Sequence, residues 1–223
     1  MKYFTLIGII IASLLGGGCQ TVEVSDQEPQ TNPAKVISSD ASSSLLVKNW
    51  DETPIPFYIS QTVPERFVQP ILKSFATWEE EAGKKLFNYK GRSNSMHQDF
   101  DGENVVYWDT EKNENGFLGV THTSQMNKTH LIEADIVFHG DPNSYGELSC
   151  ENHATLCHDQ KGQYDITTTA LHEIGHLLGF AHTNADGNIM NPNFGMNSVV
   201  HNFSDDLIAD LKSAYSPDFV ASR

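Results

Sequence analysis

The chain is short of positive charge. Its 223 residues carry 14 Lys and Arg against 29 Asp and Glu, a formal net charge of −15. That deficit argues against a nucleic-acid partner and against electrostatic adhesion to anionic lipid. A long apolar run is also missing. The longest near the N-terminus, Phe4 to Leu15, is too short to span a bilayer comfortably. No D-x-[DN]-x-[DN]-G loop is present, so Ca2+ has no support despite the acidic surface. Cysteine occurs only at 19, 150 and 157. The length suits one domain with extensions, and an apolar fraction of 39% is enough for a sizeable core.

One stretch stands out among what is present. Residues 172–182 read H-E-x-x-H-x-x-G-x-x-H, and Met190 follows. Histidines four apart on a helix share a face, so His172 and His176 can present ring nitrogens to one ion. Asp165 is a candidate N-cap for that helix. Ile166, Ala170, Leu171, Ile174, Leu177 and Leu178 fall at helical spacing and are predicted to pack into the core. Gly179 can adopt a left-handed conformation and end the helix, which lets the chain turn and bring His182 back as a third ligand. Three histidines leave one position of a zinc ion open, as catalysis requires. Glu173 stands beside the first ligand, placed to take a proton from the attacking water. A bare H-E-x-x-H is short enough to be two incidental histidines on a helix. Here the glycine, the third histidine and the methionine all fit as well.

The N-terminus has a positive residue, Lys2, ahead of the apolar run and Gly16-Gly17-Gly18-Cys19 after it. Those are the proportions of an export signal. The small residues before Cys19 resemble a bacterial lipoprotein signal, in which that cysteine is lipidated and anchors the protein without spanning the membrane. Gly16 stands where a large aliphatic residue is usual, so ordinary signal cleavage is the alternative. We therefore expect a signal over 1–18, a polar tether or short propeptide over 19–46, a folded domain over 47–216 and a tail over 217–223. The tether carries no cysteine after Cys19 that could cap a metal. In an exported chain, Cys150 and Cys157 are best read as a disulfide-closed loop; free thiols or zinc ligands are the alternatives.

Within the domain, strands are expected near 56–60, 104–108, 116–121 and 131–138, with an amphipathic helix from Glu65 to about Phe87. Ser204 caps a last helix whose apolar face is Leu207, Ile208, Leu211 and Tyr215. Strands with one early helix, then the metal helix, irregular chain and a final helix, indicate an α+β domain with a twisted mixed sheet. The remaining histidines read as surface residues. His139-Gly140-Asp141 is the one grouping that suggests a second metal site, and weakly.

His172 to His182 with Met190 resembles the metzincin zinc peptidases, and within them the matrixins. Thr183 is close to the serine usual after the third histidine. Met190 and Pro192 resemble the matrixin Met-turn, and Ser204-Asp205-Asp206-Leu207-Ile208 the start of the last helix. Ala134-Asp135-Ile136-Val137-Phe138 resembles the edge strand lining their cleft. The resemblance implies one catalytic zinc on His172, His176 and His182, with Glu173 as general base and Met190 as a floor beneath the metal. It also implies strand addition of an extended peptide along residues 134–138, and a pocket wall near Pro192 and Phe194. The connection from Phe138 to Ile166 lacks the glycine- and aspartate-rich loop of animal matrixins, which leaves their structural zinc and calcium sites without support. No hemopexin-like domain is expected after residue 216.

The expectation is an exported or membrane-anchored zinc endopeptidase, monomeric, acting on peptide or protein. The rival is a zinc-containing surface module that hydrolyses nothing; losing the base would mark it, and Glu173 is present.

Overall fold

Alternation builds the first long strand. In Ile55–Ser60 the side chains of Ile55, Phe57 and Ile59 are buried while Pro56 is exposed, the period of a strand with one face on a core. The computed structural model describes residues 20–23, 45–111, 116–126, 128–149 and 162–215. Cys19, Cys150 and Cys157 lie outside them, and with them the expected lipidation site and disulfide.

The elements in order are β1 (Gln20–Glu23), β2 (Asn49–Trp50), β3 (Ile55–Ser60), α1 (Glu65–Ala82), β4 (Phe87–Ser93), β5 (Val105–Asp109), β6 (Gly119–Gln125) and β7 (His130–His139). A short 3-10 turn (Pro142–Ser144), β8 (Tyr145–Gly146), β9 (Tyr164–Asp165), α2 (Ile166–Leu177) and α3 (Asp205–Ala214) follow. The main sheet runs β1-β6-β7-β5-β3-β4, with β2 also paired to β7. Every pairing in it is parallel except β6 with β7. This is the mixed sheet expected. No helix among the described residues is long and apolar enough to cross a membrane.

Helix α1 is the crossover between parallel β3 and β4. Phe67, Ile71, Phe75 and Trp78 form its buried stripe, and Phe75 stacks on Phe57 of β3 at 3.9 Å between ring centroids. The helix stops five residues before the expected Phe87. Gly83 takes a left-handed φ of 68° and donates to Glu80 O, a helix-ending geometry that a residue with a Cβ resists. The Glu79 side chain then accepts from the amides of Leu86 and Phe87. That starts β4, a strand the apolar pattern does not show.

Residues 134–138 are not an edge. They belong to β7, which lies between β6 and β5. The physical reason is burial on both faces: Ala134, Ile136 and Phe138 are buried, and so are Asp135 and Val137. A strand buried on both faces is one that neighbours cover. The strand outside it is β6, and the outer side of β6 pairs with β1 from Gln20↔Val120 to Glu23↔Thr123.

The sheet's two faces differ. One packs on α1 and α2 in the main core. The other holds a smaller cluster of Val105, Tyr107 and Val137, flanked by Tyr58. On this second face Asp135 accepts from Val105 N at 2.8 Å, and burial pushes its carboxyl up to about 7. Glu133 accepts from the amides of Asp101 and Gly102 at 3.2 and 2.8 Å.

Candidate metal centre

Helix α2 is fixed at its start by a buried carboxylate. Asp165 caps it, accepting from Thr168 N at 2.8 Å and Thr168 Oγ1 at 2.7 Å. The same side chain accepts from Leu148 N at 2.9 Å and His201 Nε2 at 2.7 Å. Four donors satisfy an otherwise costly buried group. Halfway along, Trp78 of α1 donates its indole N–H to Leu171 O at 2.9 Å. The helix is thus held along its length, as expected for an element that must aim side chains.

Its far end is set by Gly179. The φ there is 92°, and a Cβ would collide with the backbone of Lys48. Both requirements select glycine. Val47 N and Lys48 N donate to Gly179 O, and Ala181 N donates to Leu45 O. Leu45 and Leu46, assigned to the tether, therefore belong to the folded domain.

The turn after Gly179 brings the three histidines together. Their Nε2 atoms stand 3.0 Å apart for His176–His172, 3.0 Å for His176–His182 and 3.2 Å for His172–His182. The other ring nitrogens explain what this triangle is. His172 Nδ1 donates to Ile189 O at 2.6 Å and His176 Nδ1 to Phe180 O at 2.7 Å. A carbonyl only accepts, so each Nδ1 carries the proton and each Nε2 of the neutral ring presents a lone pair. Two lone pairs 3.0 Å apart are not a hydrogen bond. A cation between them resolves the conflict. Tetrahedral zinc with Zn–N near 2.05 Å sets nitrogens roughly 3.3 Å apart, close to the spacing found. Burial also holds the rings neutral: His172 is pushed down to about 3, His176 well below its ordinary value, and His182 is lowered. The donor set fits zinc, and these three are the one such cluster among the described residues.

Met190 is fully buried against α2. A Cβ on Gly175 would collide with its sulfur, so the glycine inside α2 is what lets the methionine approach the helix. Asn188, not singled out by the sequence analysis, shapes this turn. Its Oδ1 accepts from Met190 N at 2.8 Å and its amide donates to Ser204 Oγ at 2.9 Å. Thr183 N donates to Met190 O at 2.9 Å, tying the turn to the residue after His182. Phe194 meets His172 edge-on at 5.0 Å. Pro192, two residues earlier, is half-buried.

Glu173 is fully buried between α2 and β6. The Thr121 hydroxyl donates to its carboxylate at 2.6 Å. Gly119 faces it too: a Cβ there would stand 2.6 Å from Oε1. The strand facing Glu173 here is β6, which lies between β1 and β7, and not residues 134–138. Nothing in Gly119-Val120-Thr121 taken alone gives this arrangement, because the Glu173 partner lies 52 residues away.

A family model described as Peptidase_M10, Matrixin, matches residues 49–216. No curated protein matches the chain.

Proposed function

The chain belongs to the matrixin family of zinc metallopeptidases, and from that premise we propose that Glu173 is the general base of an exported endopeptidase whose zinc is held by His172, His176 and His182. The observation that carries this is the triangle of Nε2 atoms, two of them stripped of protons by carbonyl partners. When bound there, zinc supplies a Lewis acid that polarises a peptide carbonyl and acidifies water.

The chain's own residues do the rest. Ile189 O and Phe180 O hold the two helical imidazoles in the tautomer that ligates. Gly175 admits Met190 under the histidines, which keeps the floor of the site apolar and close-packed. Glu173 follows His172 directly in sequence and takes the proton of the attacking water, then returns it to the leaving amine. The substrate would lie extended along the outer side of β6, taking the main-chain groups that β1 holds in this structure. Support for that placement comes from β1, which pairs by its backbone with Val120–Thr123 on this side. Phe194, edge-on to His172, forms a wall for a substrate side chain. The N-terminal charge and apolar run support export, and Cys19 supports a lipid anchor that would hold the peptidase at a membrane.

Replacing Glu173 with Gln tests the role of the base. The variant should retain zinc and lose roughly 10²- to 10⁴-fold in kcat on a peptide substrate. Wild-type turnover in Glu173→Gln would exclude it as the base.

A further inference from the structure

We propose that Thr121 is a positioning residue for the general base, and that with Gly119 it forms a socket on β6 for the Glu173 carboxylate; this rests on the assignment of Glu173 above. The two side-chain positions are two apart on one strand and so share a face. Their register partners on β7 are Phe138 and Ile136, both buried in the core that α2 completes. The face therefore looks at α2, and Glu173 lies in between.

The socket grips the carboxylate from two directions. The Thr121 hydroxyl stands 2.6 Å from Oε2 and 3.0 Å from the main-chain oxygen of the same residue. It has one proton to give, and the shorter contact, to the carboxylate, is the stronger acceptor. On the other side, the bare Cα of Gly119 leaves room for Oε1, the carboxylate carbon and Cγ. An added Cβ would stand 2.6, 3.0 and 2.9 Å from these atoms. Glu173 has three side-chain torsions. Without these contacts a buried carboxylate at the end of that chain has several rotamers. With them the carboxylate is tied to β6 through Oε2, and Oε1 is seated against Gly119. Thr121 is itself fully buried, so the hydroxyl is not a surface accident. A buried hydroxyl needs a partner, and here both of its acceptors are atoms of the base.

The role differs from that of a ligand or of the base. Thr121 acts through Glu173 and should alter the chemical step with little effect on substrate or metal binding. The test uses the full chain with Thr121→Val, Thr121→Ser and Gly119→Ala, measuring kcat, KM and zinc content on a peptide substrate. Thr121→Val keeps the shape and loses the donor. Its kcat should fall roughly tenfold to hundredfold, the scale of a misplaced catalytic group, with KM and zinc content as in the wild type. Thr121→Ser restores the donor and should restore most of kcat. Gly119→Ala pushes on the flexible end of Glu173 and should lower kcat with zinc retained. Normalising turnover to zinc-bound protein separates a loss of folded enzyme from a loss of the chemical step. If Thr121→Val does not fold, Thr121→Ser with near-wild-type kcat beside an impaired Gly119→Ala supports the socket. Wild-type kcat in Thr121→Val, a loss that serine does not recover, or an unaffected Gly119→Ala overturns it. Wild-type turnover in Glu173→Gln would instead overturn the assignment of the base; an inactive Glu173→Gln beside a fully active Thr121→Val would remove the socket alone.

Discussion

Strands β6 and β7 are antiparallel neighbours with opposite compositions. β7 carries Leu131, Ala134, Ile136, Val137 and Phe138, all buried, with Glu133 and Asp135 as buried acids on its second face. β6 reads Gly-Val-Thr-His-Thr-Ser-Gln. The apolar strand sits inside the sheet and holds the core. The polar one lies beside it, between β7 and β1, and meets Glu173 through Gly119 and Thr121. A strand that only packs wants apolar side chains on both faces. A strand that borders a reaction site wants small groups that admit a carboxylate and a hydroxyl that orients it. Changes in β7 should therefore appear in stability, and changes in β6 in turnover.

The largest effect expected on the β7 side is from Leu131→Ala. Leu131 is 3% exposed, and emptying such a site costs about 2–5 kcal/mol. Urea unfolding should show the loss, while kcat per zinc-bound molecule stays unchanged. A fall in kcat without a fall in stability would break the division between the strands.

A smaller effect, with a pH signature, is expected from Asp135→Asn. Burial raises the Asp135 carboxyl to about 7. A raised value in the folded state means that the native protein binds the proton more tightly than the unfolded chain. The stability this contributes is complete below about pH 4, the unfolded value, and is lost as the pH rises through about 7. Asparagine cannot ionise, so the variant should gain on the wild type above pH 7, on the order of 1–3 kcal/mol. Melting temperature measured from pH 5 to 9 checks this. Parallel curves for the two proteins would show that the Asp135 proton does not matter to folding.

The metal helix was legible in the sequence because its signals are local. Residues four apart share a helix face whatever the tertiary structure, and the caps of Asp165 and Ser204 and the left-handed turn at Gly179 are made within a few residues, although Asp165 also meets Leu148 and His201 and Gly179 meets Lys48. The limits of α1 were less legible. The apolar period of Phe67, Ile71, Phe75 and Trp78 carries on to Phe87, but Gly83 ends the helix and the Glu79 carboxylate redirects the chain into β4. The order of strands in the sheet was not legible at all. Nothing in Ala134–Phe138 taken alone says whether β6 lies outside it or inside. Sheet order comes from pairing between residues far apart in sequence, which no local pattern encodes. The same holds for Thr121, whose partner Glu173 is 52 residues away. Asn188 was hidden for a different reason: in Asp186-Gly187-Asn188 any polar residue reads as turn, and only the fold shows that its side chain bonds Met190 and Ser204.

Peptide hydrolysis by this chain should depend on zinc held by His172, His176 and His182. The most direct measurement is the cleavage of a peptide library by the purified chain as isolated, after a zinc chelator, and after zinc is returned. Cleavage should stop with the chelator and resume with zinc in the wild type, but not resume in His176→Ala. Cleavage that continues in the metal-free protein would contradict it.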